Sequence, residues 1–404
     1  MTKKYNIGVL SDQFINWGGG IDFIRLILNS LSSLEKGTEN KINVFVFVPK
    51  QPENKIRFKN NLKRFINLFR NKKYQFQRII SNESIEKSFL GIGDNFKIIF
   101  YNEGETSLIK EVLKLKIDII IPTFSSLSPS FPIPWVGYLY DFQHKYYPNF
   151  FSNEDIILRD SQFSNMLNKA DSIIVNSDSV KNDVNKFYGK EASDKVFALP
   201  FCPILNLDFF KSNVDLKNYN LPEKYFMISN QFWKHKDHVT AFKAFRLFLD
   251  NFDNKDIFLV CTGQTQDARF PDYFETLQRL IIELNLSDNV LILGYIPKID
   301  QLQILKSCIA IIQPTLFEGG PGGGAVFESV AYGVSSIVSD IAVNKEIEDE
   351  TVTFFNTGSE IDLAKKMLDI FQKGKQEYST DELVFKNNKA LLKMGEQILT
   401  IIKK

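Results

Sequence analysis

The sequence predicts an α/β protein built from two Rossmann-like, doubly wound domains that face a central cleft. Short runs of β-branched and aromatic residues alternate with segments of 3.6-residue periodicity along both halves of the chain. Alternation of this kind is typical of a parallel sheet covered by helices on both faces. The chain has 404 residues, which is too long for one ordinary core and suits two domains of about 150–200 residues each.

The predicted strands and helices follow one another regularly. The strands of the first half are Tyr5–Leu10, Ile42–Pro49, Lys97–Tyr101, Ile117–Ile121, Pro134–Leu139, Ser172–Asn176 and Val196–Pro200. Those of the second half are Tyr225–Ser229, Ile257–Thr262, Val290–Gly294, Ala310–Gln313 and Ser336–Ser339. The clearest predicted helices are Ile21–Leu34, Asp155–Ala170, His238–Phe252, Asp272–Leu284, Ile299–Lys306 and Ala325–Tyr332.

The boundary between the two halves is predicted in Phe201–Pro222, which is polar, irregular and rich in turn signals. We therefore expect an N-terminal domain at residues 1–205 and a C-terminal domain at 206–385. The tail from about Thr380 is predicted to form one or two closing helices, with the last of them over 386–404.

Composition excludes several classes of protein. The net charge is +1, so nothing global favours nucleic acid as a partner. Cys202, Cys261 and Cys308 are far apart, which argues against a disulfide framework or a zinc site and favours a reducing compartment. The sequence shows no signal peptide and no run of about 18 apolar residues. We therefore expect a cytoplasmic protein.

The most informative segment is Pro314–Asp340, PTLFEGGPGGGAVFESVAYGVSSIVSD. A predicted strand leads into a loop that contains Gly319, Gly320, Gly322, Gly323 and Gly324, and a helix follows. Glycine amides and a helix N-terminus suit a diphosphate. Glu318 and Glu328 flank the loop, and carboxylates repel phosphate but accept hydrogen bonds from hydroxyls. The pattern therefore predicts a ligand with phosphates and sugar hydroxyls; the alternative is a surface loop with two solvated glutamates.

This segment resembles the signature of the group-1 (family 4) retaining glycosyltransferases, which have the GT-B fold. The resemblance implies that Glu318 contacts the donor sugar, that Gly322, Gly323 and Gly324 hold the diphosphate, and that Glu328 binds the ribose. It also implies an acceptor-side N-terminal domain and a nucleotide-sugar C-terminal domain. Nine residues separate the two glutamates here, two more than in the family pattern, so the match of individual glycines is less direct than that of Glu328.

A second motif, Ser229–His238 (SNQFWKHKDH), lies between a predicted strand and a predicted helix. It resembles the segment in which the family's Arg and Lys neutralise the diphosphate. Lys236 matches the Lys, whereas Gln231 stands where the Arg is expected, and Lys234 is a candidate replacement. The alternative is a helix cap with solvated basic residues and structural histidines.

A third motif, Trp135–Phe151, contains D-x-Q-H at the end of a predicted strand. It resembles the family loop in which a His lies beside the reacting sugar, which implies that role for His144 and an acceptor-side position for Asp141. A core histidine and a turn-forming aspartate are the alternatives.

A fourth motif, WGGGID at Trp17–Asp22, follows the first predicted strand. Its glycines open a helix and can approach a phosphate or an acceptor. Gly19 and Gly20 match the family's Gly-Gly loop, although glycines at this place are common in such folds.

The resemblance implies transfer of a sugar from a nucleotide-diphosphate donor to a hydroxyl of a glycan or lipid-linked acceptor, in bacterial surface polysaccharide or glycoconjugate assembly. No cofactor is expected, because the nucleotide sugar is a substrate. The sequence has no Asp-x-Asp and no histidine spacing typical of a metal site, so no metal is expected either. A GT-B-like epimerase or phosphorylase, or a non-catalytic subunit, is the alternative.

The segment Asn54–Arg78 carries nine basic residues and no acidic one. One face of a helix over this segment would present Phe58, Leu62, Phe65, Ile66 and Phe69. Such helices bind anionic membranes, which predicts a peripheral position on the inner face of the cell membrane. The alternative is a helix whose apolar face packs on its own sheet.

Overall fold

The computed structural model describes residues 4–16, 19–34, 41–50, 82–89, 92, 96–212, 214–251 and 256–403. The basic segment Asn54–Arg78 therefore lies outside the described residues, and its predicted membrane role stays a prediction. Contacts divide the chain into two compact units. The first contains Met1–Tyr138, Ser164–Ile174 and Gly395–Lys404, and the second contains Leu139–Phe163 and Val175–Met394. The predicted domain boundaries stay a prediction.

The predicted fold class is confirmed by two parallel sheets with flanking helices. The first sheet has seven strands in the order β3-β2-β1-β4-β5-β6-β7. Their bounds are Lys4–Leu10 (β1), Lys41–Pro49 (β2), Phe96–Tyr101 (β3), Ile119–Thr123 (β4), Trp135–Leu139 (β5), Ser172–Val175 (β6) and Val196–Ala198 (β7). The order reverses on either side of β1, as in a doubly wound sheet.

The second sheet has six strands in the order β10-β9-β8-β11-β12-β13. Their bounds are Lys224–Ser229 (β8), Ile257–Thr262 (β9), Val290–Gly294 (β10), Ile311–Gln313 (β11), Ser336–Ser339 (β12) and Val352–Phe355 (β13). Strand β13, which was not predicted from the sequence, is a short edge strand that pairs in parallel with β12. The order reverses on either side of β8, between β9 and β11.

Fourteen α-helices lie in the part of the chain that the structure describes. They are Gly20–Ser33 (α1), Asn82–Ser88 (α2), Glu105–Lys114 (α3), Gln143–Tyr146 (α4), Asn153–Lys169 (α5), Asp178–Tyr188 (α6), Lys190–Ser193 (α7), Leu207–Lys211 (α8), His238–Asp250 (α9), Tyr273–Glu283 (α10), Lys298–Ser307 (α11), Gly323–Ala331 (α12), Glu360–Lys373 (α13) and Thr380–Ile402 (α14). The tail is thus one helix from Thr380, where one or two were expected. Among the described residues, no helix is long and apolar enough to cross a membrane.

Helix α9 shows how the core of the second sheet forms. Asp237 caps its first turn by accepting a hydrogen bond from the Thr240 backbone amide at 3.3 Å. Phe242, Phe245 and Phe248 then recur at helical spacing and are at most 1% exposed. They belong to the same buried cluster as residues of β8, β9 and α13. This packing fixes the loop before α9 relative to the sheet.

Gly263, directly after β9, allows the chain to pass close to the end of β8. Its φ angle is +137°, a conformation that side chains rarely adopt, and a Cβ there would clash with the carbonyl oxygen of Asn230. We predict that Gly263→Ala lowers the free energy of unfolding by about 3 kcal/mol, because positive φ and steric overlap both contribute. Urea unfolding followed by circular dichroism measures this loss.

Gly358→Ala is the matched control for that measurement. Gly358 also has positive φ, at +75°, but a Cβ there would meet no atom within 4 Å. The free energy of unfolding of Gly358→Ala should fall by only about 1 kcal/mol, the cost of the backbone conformation alone. Equal losses for the two variants would show that the approach to Asn230 carries no strain.

Candidate functional site

The candidate site lies at the carboxyl ends of β8 and β11, neighbouring strands of the six-stranded sheet. The two strands pair in parallel, with Met227 opposite Ile311. Strand order reverses between β8 and β11. The crevice at such a reversal is the usual ligand site of doubly wound sheets. The loop after β8 carries the motif of Lys236, and the loop after β11 carries Glu318.

Glu318 and Lys236 form an ion pair at this crevice, although they are 82 residues apart in sequence. Their side chains are only 12% and 9% exposed. Gln313 Nε2 donates a second hydrogen bond to Glu318 Oε1 at 3.1 Å. Gln313 in turn accepts a hydrogen bond from Asn230 Nδ2 at 2.5 Å. The carboxylate is therefore held in one orientation by a lysine and by a buried pair of amides.

Placing such a pair in a largely buried site costs solvation free energy that an apolar pair would not lose. The charges are therefore more readily explained by a ligand than by stability. Lys236 has three N–H donors, and one to Glu318 leaves the ammonium able to bind an anion as well. The catalytic roles of Glu318 and Lys236 stay predictions.

Glu328, on α12, is the centre of a second network. Lys298 Nζ donates to Glu328 Oε1, and Gln301 Nε2 donates to Oε2 at 2.8 Å. Gln301 Nε2 also donates to Ser229 Oγ at 3.0 Å. Because Ser229 and Asn230 are adjacent at the end of β8, the two glutamate networks start from neighbouring residues of one strand.

Sequence reasoning missed Lys298 and Gln301, which lie in the first turns of α11. The available signal was their position immediately after β10, since carboxyl ends of parallel strands share one edge of the sheet. Lys298 is 46% exposed, whereas Glu328 is 16% exposed. The carboxylate is thus the more enclosed member of the pair.

The three predicted loop glycines differ in their surroundings. Gly322 has a φ angle of +69°, and its amide donates to Asn344 Oδ1 at 2.7 Å, so a protein oxygen already occupies that N–H. A Cβ on Gly323 would lie 3.1 Å from Gln313 Nε2 and 3.3 Å from Glu318 Oε1. Gly324 is exposed and faces open space. A ligand phosphate would therefore find room at Gly324, in the first turn of α12.

Asp141 acts as a turn residue in this structure. Its Oδ1 accepts hydrogen bonds from the Gln143 amide at 2.9 Å and from Arg159 Nη1 at 3.3 Å. A Cβ on Gly319 would lie 2.7 Å from Asp141 Cβ, so the glycine lets the glutamate loop approach this turn. This is the alternative named for Asp141, and its acceptor-side position stays a prediction.

His144 is fully buried, with 0% of its side chain exposed. Its ring lies among Phe142, Phe151 and Phe163. Nε2 lies 3.0 Å from Asp160 Oδ1, and Nδ1 has no hydrogen-bond partner among the described residues. Burial lowers the pKa of His144, against the opposing effect of Asp160, so the ring is neutral near pH 7.

Aromatic contacts join the D-x-Q-H segment to the glutamate loop. The Phe317 ring centroid lies 5.8 Å from that of Tyr146 and 6.1 Å from that of Tyr147. Tyr147 Oη also donates to the Leu316 carbonyl at 3.4 Å. Phe317 precedes Glu318, so these rings help to position the carboxylate.

Gln231 is exposed, and the motif that contains it also carries or contacts two cations, Lys234 and Arg269. Lys234 Nζ lies 5.0 Å from the Phe270 ring centroid and 5.7 Å from that of Phe150. Arg269, which sequence reasoning missed, lies 5.1 Å from the Trp233 ring and pairs with Asp267 through Nε at 3.1 Å. Lys234 lies within the Ser229–His238 motif and Arg269 contacts its Trp233, in the segment where the family pattern expects an arginine.

The other two histidines of that motif are core residues. His238 is 0% exposed and stacks on Phe232 with ring centroids 4.4 Å apart. Burial lowers its pKa to about 3 and lowers that of His235 to about 2, so both rings are neutral.

Gly19 and Gly20 belong to the first compact unit, whereas the other predicted site residues belong to the second. Gly20 begins α1, and a Cβ there would clash with the Phe14 carbonyl oxygen. Gly19 is exposed at the N-cap position. Their proposed contact with donor or acceptor stays a prediction. Among the described residues, no group of three or more His, Cys, Asp or Glu side chains is placed to hold a metal ion.

The chain is similar to known glycosyltransferases. Residues 212–382 match the family described as "Glycosyl transferases group 1". The chain is 26% identical over 189 residues to the O-antigen chain mannosyltransferase RfbU of Salmonella typhimurium, covering 46% of this chain and 47% of RfbU. It is also 26% identical over 151 residues to the α-1,3/1,6-mannosyltransferase ALG2 of Saccharomyces cerevisiae, covering 36% of this chain and 29% of ALG2. The alignments thus span about half the length of these relatives or less.

Solved structures share the fold over nearly the whole chain. A glycosyltransferase from Rickettsia africae superposes with a TM-score of 0.58 and 16% identity, covering 99% of this chain and 98% of that one. The lipopolysaccharide outer core galactosyltransferase WaaB superposes with a TM-score of 0.54 and 14% identity, covering 100% and 99%. Anabaena HepE, solved with UDP and glucose, has a TM-score of 0.56 and 13% identity, covering 99% and 97%. Residues 212–382, which hold both glutamate networks, match the group-1 glycosyl transferase family.

Proposed function

We propose that this chain transfers a hexose-type sugar from a nucleotide-diphosphate donor to a hydroxyl acceptor, with retention at the anomeric carbon and without a metal ion. The Lys236–Glu318 pair at the carboxyl ends of β8 and β11 carries the proposal. It places a hydroxyl-binding carboxylate against an anion-binding ammonium, and a nucleotide sugar presents a hydroxyl-bearing ring next to a diphosphate.

Each group has a distinct task in this proposal. Glu318, fixed by Gln313, accepts hydrogen bonds from the sugar and orients it. Lys236 neutralises the charge that develops on the diphosphate as the glycosidic bond breaks, which is most effective in a site from which water is largely excluded. The amides near Gly323 and Gly324 and the N-terminus of α12 add partial positive charge for the phosphates.

Glu328 binds the ribose in this proposal. A carboxylate accepts two hydrogen bonds and therefore matches the vicinal ribose hydroxyls. Gln301 keeps Oε2 oriented, and Lys298 offsets the negative charge while the site is empty. Gln231 and the cations Lys234 and Arg269 lie at the phosphate side.

His144 is proposed to line the sugar or acceptor side, with Asp141 and the first-unit glycines Gly19 and Gly20 as further contacts. A neutral His144 whose Nε2 is held by Asp160 leaves Nδ1 as a hydrogen-bond acceptor. A small movement of the aromatic side chains around it would expose that atom to a hydroxyl.

The names of the relatives support a role in glycan assembly. RfbU is an O-antigen chain mannosyltransferase and WaaB a lipopolysaccharide galactosyltransferase. We accordingly propose bacterial surface polysaccharide or glycoconjugate assembly as the pathway. A GT-B-like epimerase or a non-catalytic subunit would be indicated instead if the chain failed to transfer sugar from any donor.

Replacement of Glu318 tests the proposal most directly. Glu318→Ala should lower kcat/KM for sugar transfer by about 10²–10³-fold, since a group that stabilises the transition state contributes on this scale. The protein should stay folded in a thermal melt. Turnover is measured by release of the nucleoside diphosphate with a panel of UDP-, GDP- and dTDP-sugars.

Glu275→Ala is the control for that experiment, because Glu275 is an exposed carboxylate of α10 in the same unit. It should leave kcat/KM unchanged. Near-normal transfer by Glu318→Ala, with the control also normal, would contradict the assignment.

The proposed contact between Glu328 and the ribose is tested by measuring nucleotide binding. Glu328→Ala should weaken binding of the preferred nucleoside diphosphate by about 10–100-fold, the loss expected for hydrogen bonds to a charged group. The wild type should also bind the 2′-deoxynucleotide more weakly than the ribonucleotide, and the variant should not. Isothermal titration calorimetry gives the four dissociation constants.

The comparison contains its own control, because the deoxynucleotide lacks the hydroxyl that Glu328 would bind. A variant that still discriminated between the two nucleotides would place the ribose elsewhere. Thermal-shift screening identifies the base beforehand, since a ligand at 100 times its Kd stabilises the protein by about 2.7 kcal/mol.

The basic segment Asn54–Arg78 is proposed to bind an anionic membrane surface, on its sequence alone. The chain should float with phosphatidylglycerol vesicles and not with neutral ones, because basic residues near an anionic surface contribute about 1 kcal/mol each. Charge reversal at Lys63, Arg64, Lys72 and Lys73 should abolish flotation. Binding that survived this reversal would contradict the proposal.

A further inference from the structure

A second group of side chains in the same compact unit lies beside the loop of Glu318. We call it the Tyr146 cluster; it consists of Tyr146, Asp183, Lys186, Phe187 and Phe317. Tyr146 belongs to the segment after β5, three members lie on α6, and Phe317 lies in the glutamate loop. Residues from three separate stretches of sequence thus meet around one tyrosine ring.

The cluster combines aromatic faces with one carboxylate and one ammonium. Tyr146 Oη donates to Asp183 Oδ1. Lys186 Nζ donates to Tyr146 Oη at 3.3 Å and lies 4.6 Å from the centroid of the same ring. The Phe187 ring centroid lies 5.7 Å from that of Tyr146, nearly perpendicular to it. The tyrosine is therefore fixed on several sides.

Tyr146 is nevertheless 42% exposed, which is unusual for a ring with this many neighbours. Among the described residues, Tyr146 is the side chain that donates a hydrogen bond to Asp183, and it does so at Oδ1. Asp183 Oδ2 is therefore suited to accept from a ligand. An exposed ring fixed beside a carboxylate and an ammonium is an amphipathic surface with equal numbers of opposite charges.

Such a surface matches the chemistry of a neutral pyranose. The C–H face of the sugar ring packs on an aromatic face, and its hydroxyls donate to a carboxylate and accept from an ammonium. A plain alkyl chain would offer no donor to Asp183 Oδ2.

The position of the cluster indicates whether it would bind the transferred sugar or the acceptor. Phe317 directly precedes Glu318, and its ring centroid lies 5.8 Å from that of Tyr146. The cluster therefore adjoins the carboxylate proposed to hold the transferred sugar. We propose that the Tyr146 cluster binds the acceptor and that the acceptor is a neutral pyranose residue of a glycan. This inference rests on the proposed function.

The test uses octyl α-mannopyranoside and octyl β-galactopyranoside as acceptors, with 1-octanol as the acceptor that lacks a sugar. The full chain is assayed with the nucleotide sugar that gives the largest thermal shift. Asp183→Asn and Tyr146→Ala should each raise KM for the preferred glycoside by about 10-fold or more, the scale of one hydrogen bond to a charged group. Donor hydrolysis without acceptor should stay within about twofold of the wild type in Asp183→Asn. Tyr146→Ala is not used for that comparison, because Tyr146 packs on Phe317 beside Glu318.

Glu191→Gln is the matched control, because Glu191 is an exposed carboxylate one turn beyond α6 and outside the cluster. Its KM should not change. Tyr146→Phe keeps the ring and loses the hydroxyl, so its KM should lie between those of the wild type and Tyr146→Ala. If Asp183→Asn or Tyr146→Ala does not give a normal thermal melt, Lys186→Gln, at an exposed position, replaces that variant in the KM measurement.

Saturation-transfer NMR reports glycoside binding independently of turnover. Transfer to the glycoside ring protons in the wild type, weakened in Tyr146→Ala, supports the inference. Unchanged KM in the cluster variants, equal use of 1-octanol and glycosides, or absence of saturation transfer would overturn it. Failure of the wild type to bind or hydrolyse any nucleotide sugar would instead overturn the proposed function, so the two failures are distinguishable.

Discussion

The Lys236–Glu318 ion pair is the interaction on which the organisation of the second sheet's crevice depends. It joins the loop after β8 to the loop after β11, and the buried amides of Asn230 and Gln313 lie beneath it. Charged groups are placed so far out of water only when partners satisfy them. Removal of either partner would leave an uncompensated charge, so both loops are constrained to one arrangement. That arrangement also sets where a ligand's charges can lie.

Hydrogen bonds connect the end of β8 to both glutamates. Gln301 donates to both Ser229 and Glu328, while Asn230 donates to Gln313, which donates to Glu318. Because a strand is stiff and its successive residues are a fixed distance apart, the two carboxylates keep a defined separation. Both carboxylates lie within residues 212–382, the stretch that matches the group-1 glycosyl transferase family.

Aromatic packing explains details that charge alone does not. Phe317 lies against Tyr146 and Tyr147, so the segment after β5 supports the loop of Glu318. The same segment encloses His144 among phenylalanine rings, while Phe232 covers His238. These histidines are therefore neutral at physiological pH, and any chemistry they perform uses hydrogen bonding and not charge. Several of the 37 phenylalanines of the chain thus pack against these side chains.

The sequence by itself determined the fold class and most strand positions. Hydrophobic periodicity is local, and carboxyl ends of neighbouring parallel strands must meet at one edge. Only the tertiary structure revealed β13, the partners Lys298 and Gln301 of Glu328, the cation Arg269, and the occupation of the Gly322 amide by Asn344. Those features depend on which side chains meet after the sheet has formed. A contact between residues tens of positions apart leaves no periodic trace in a single sequence.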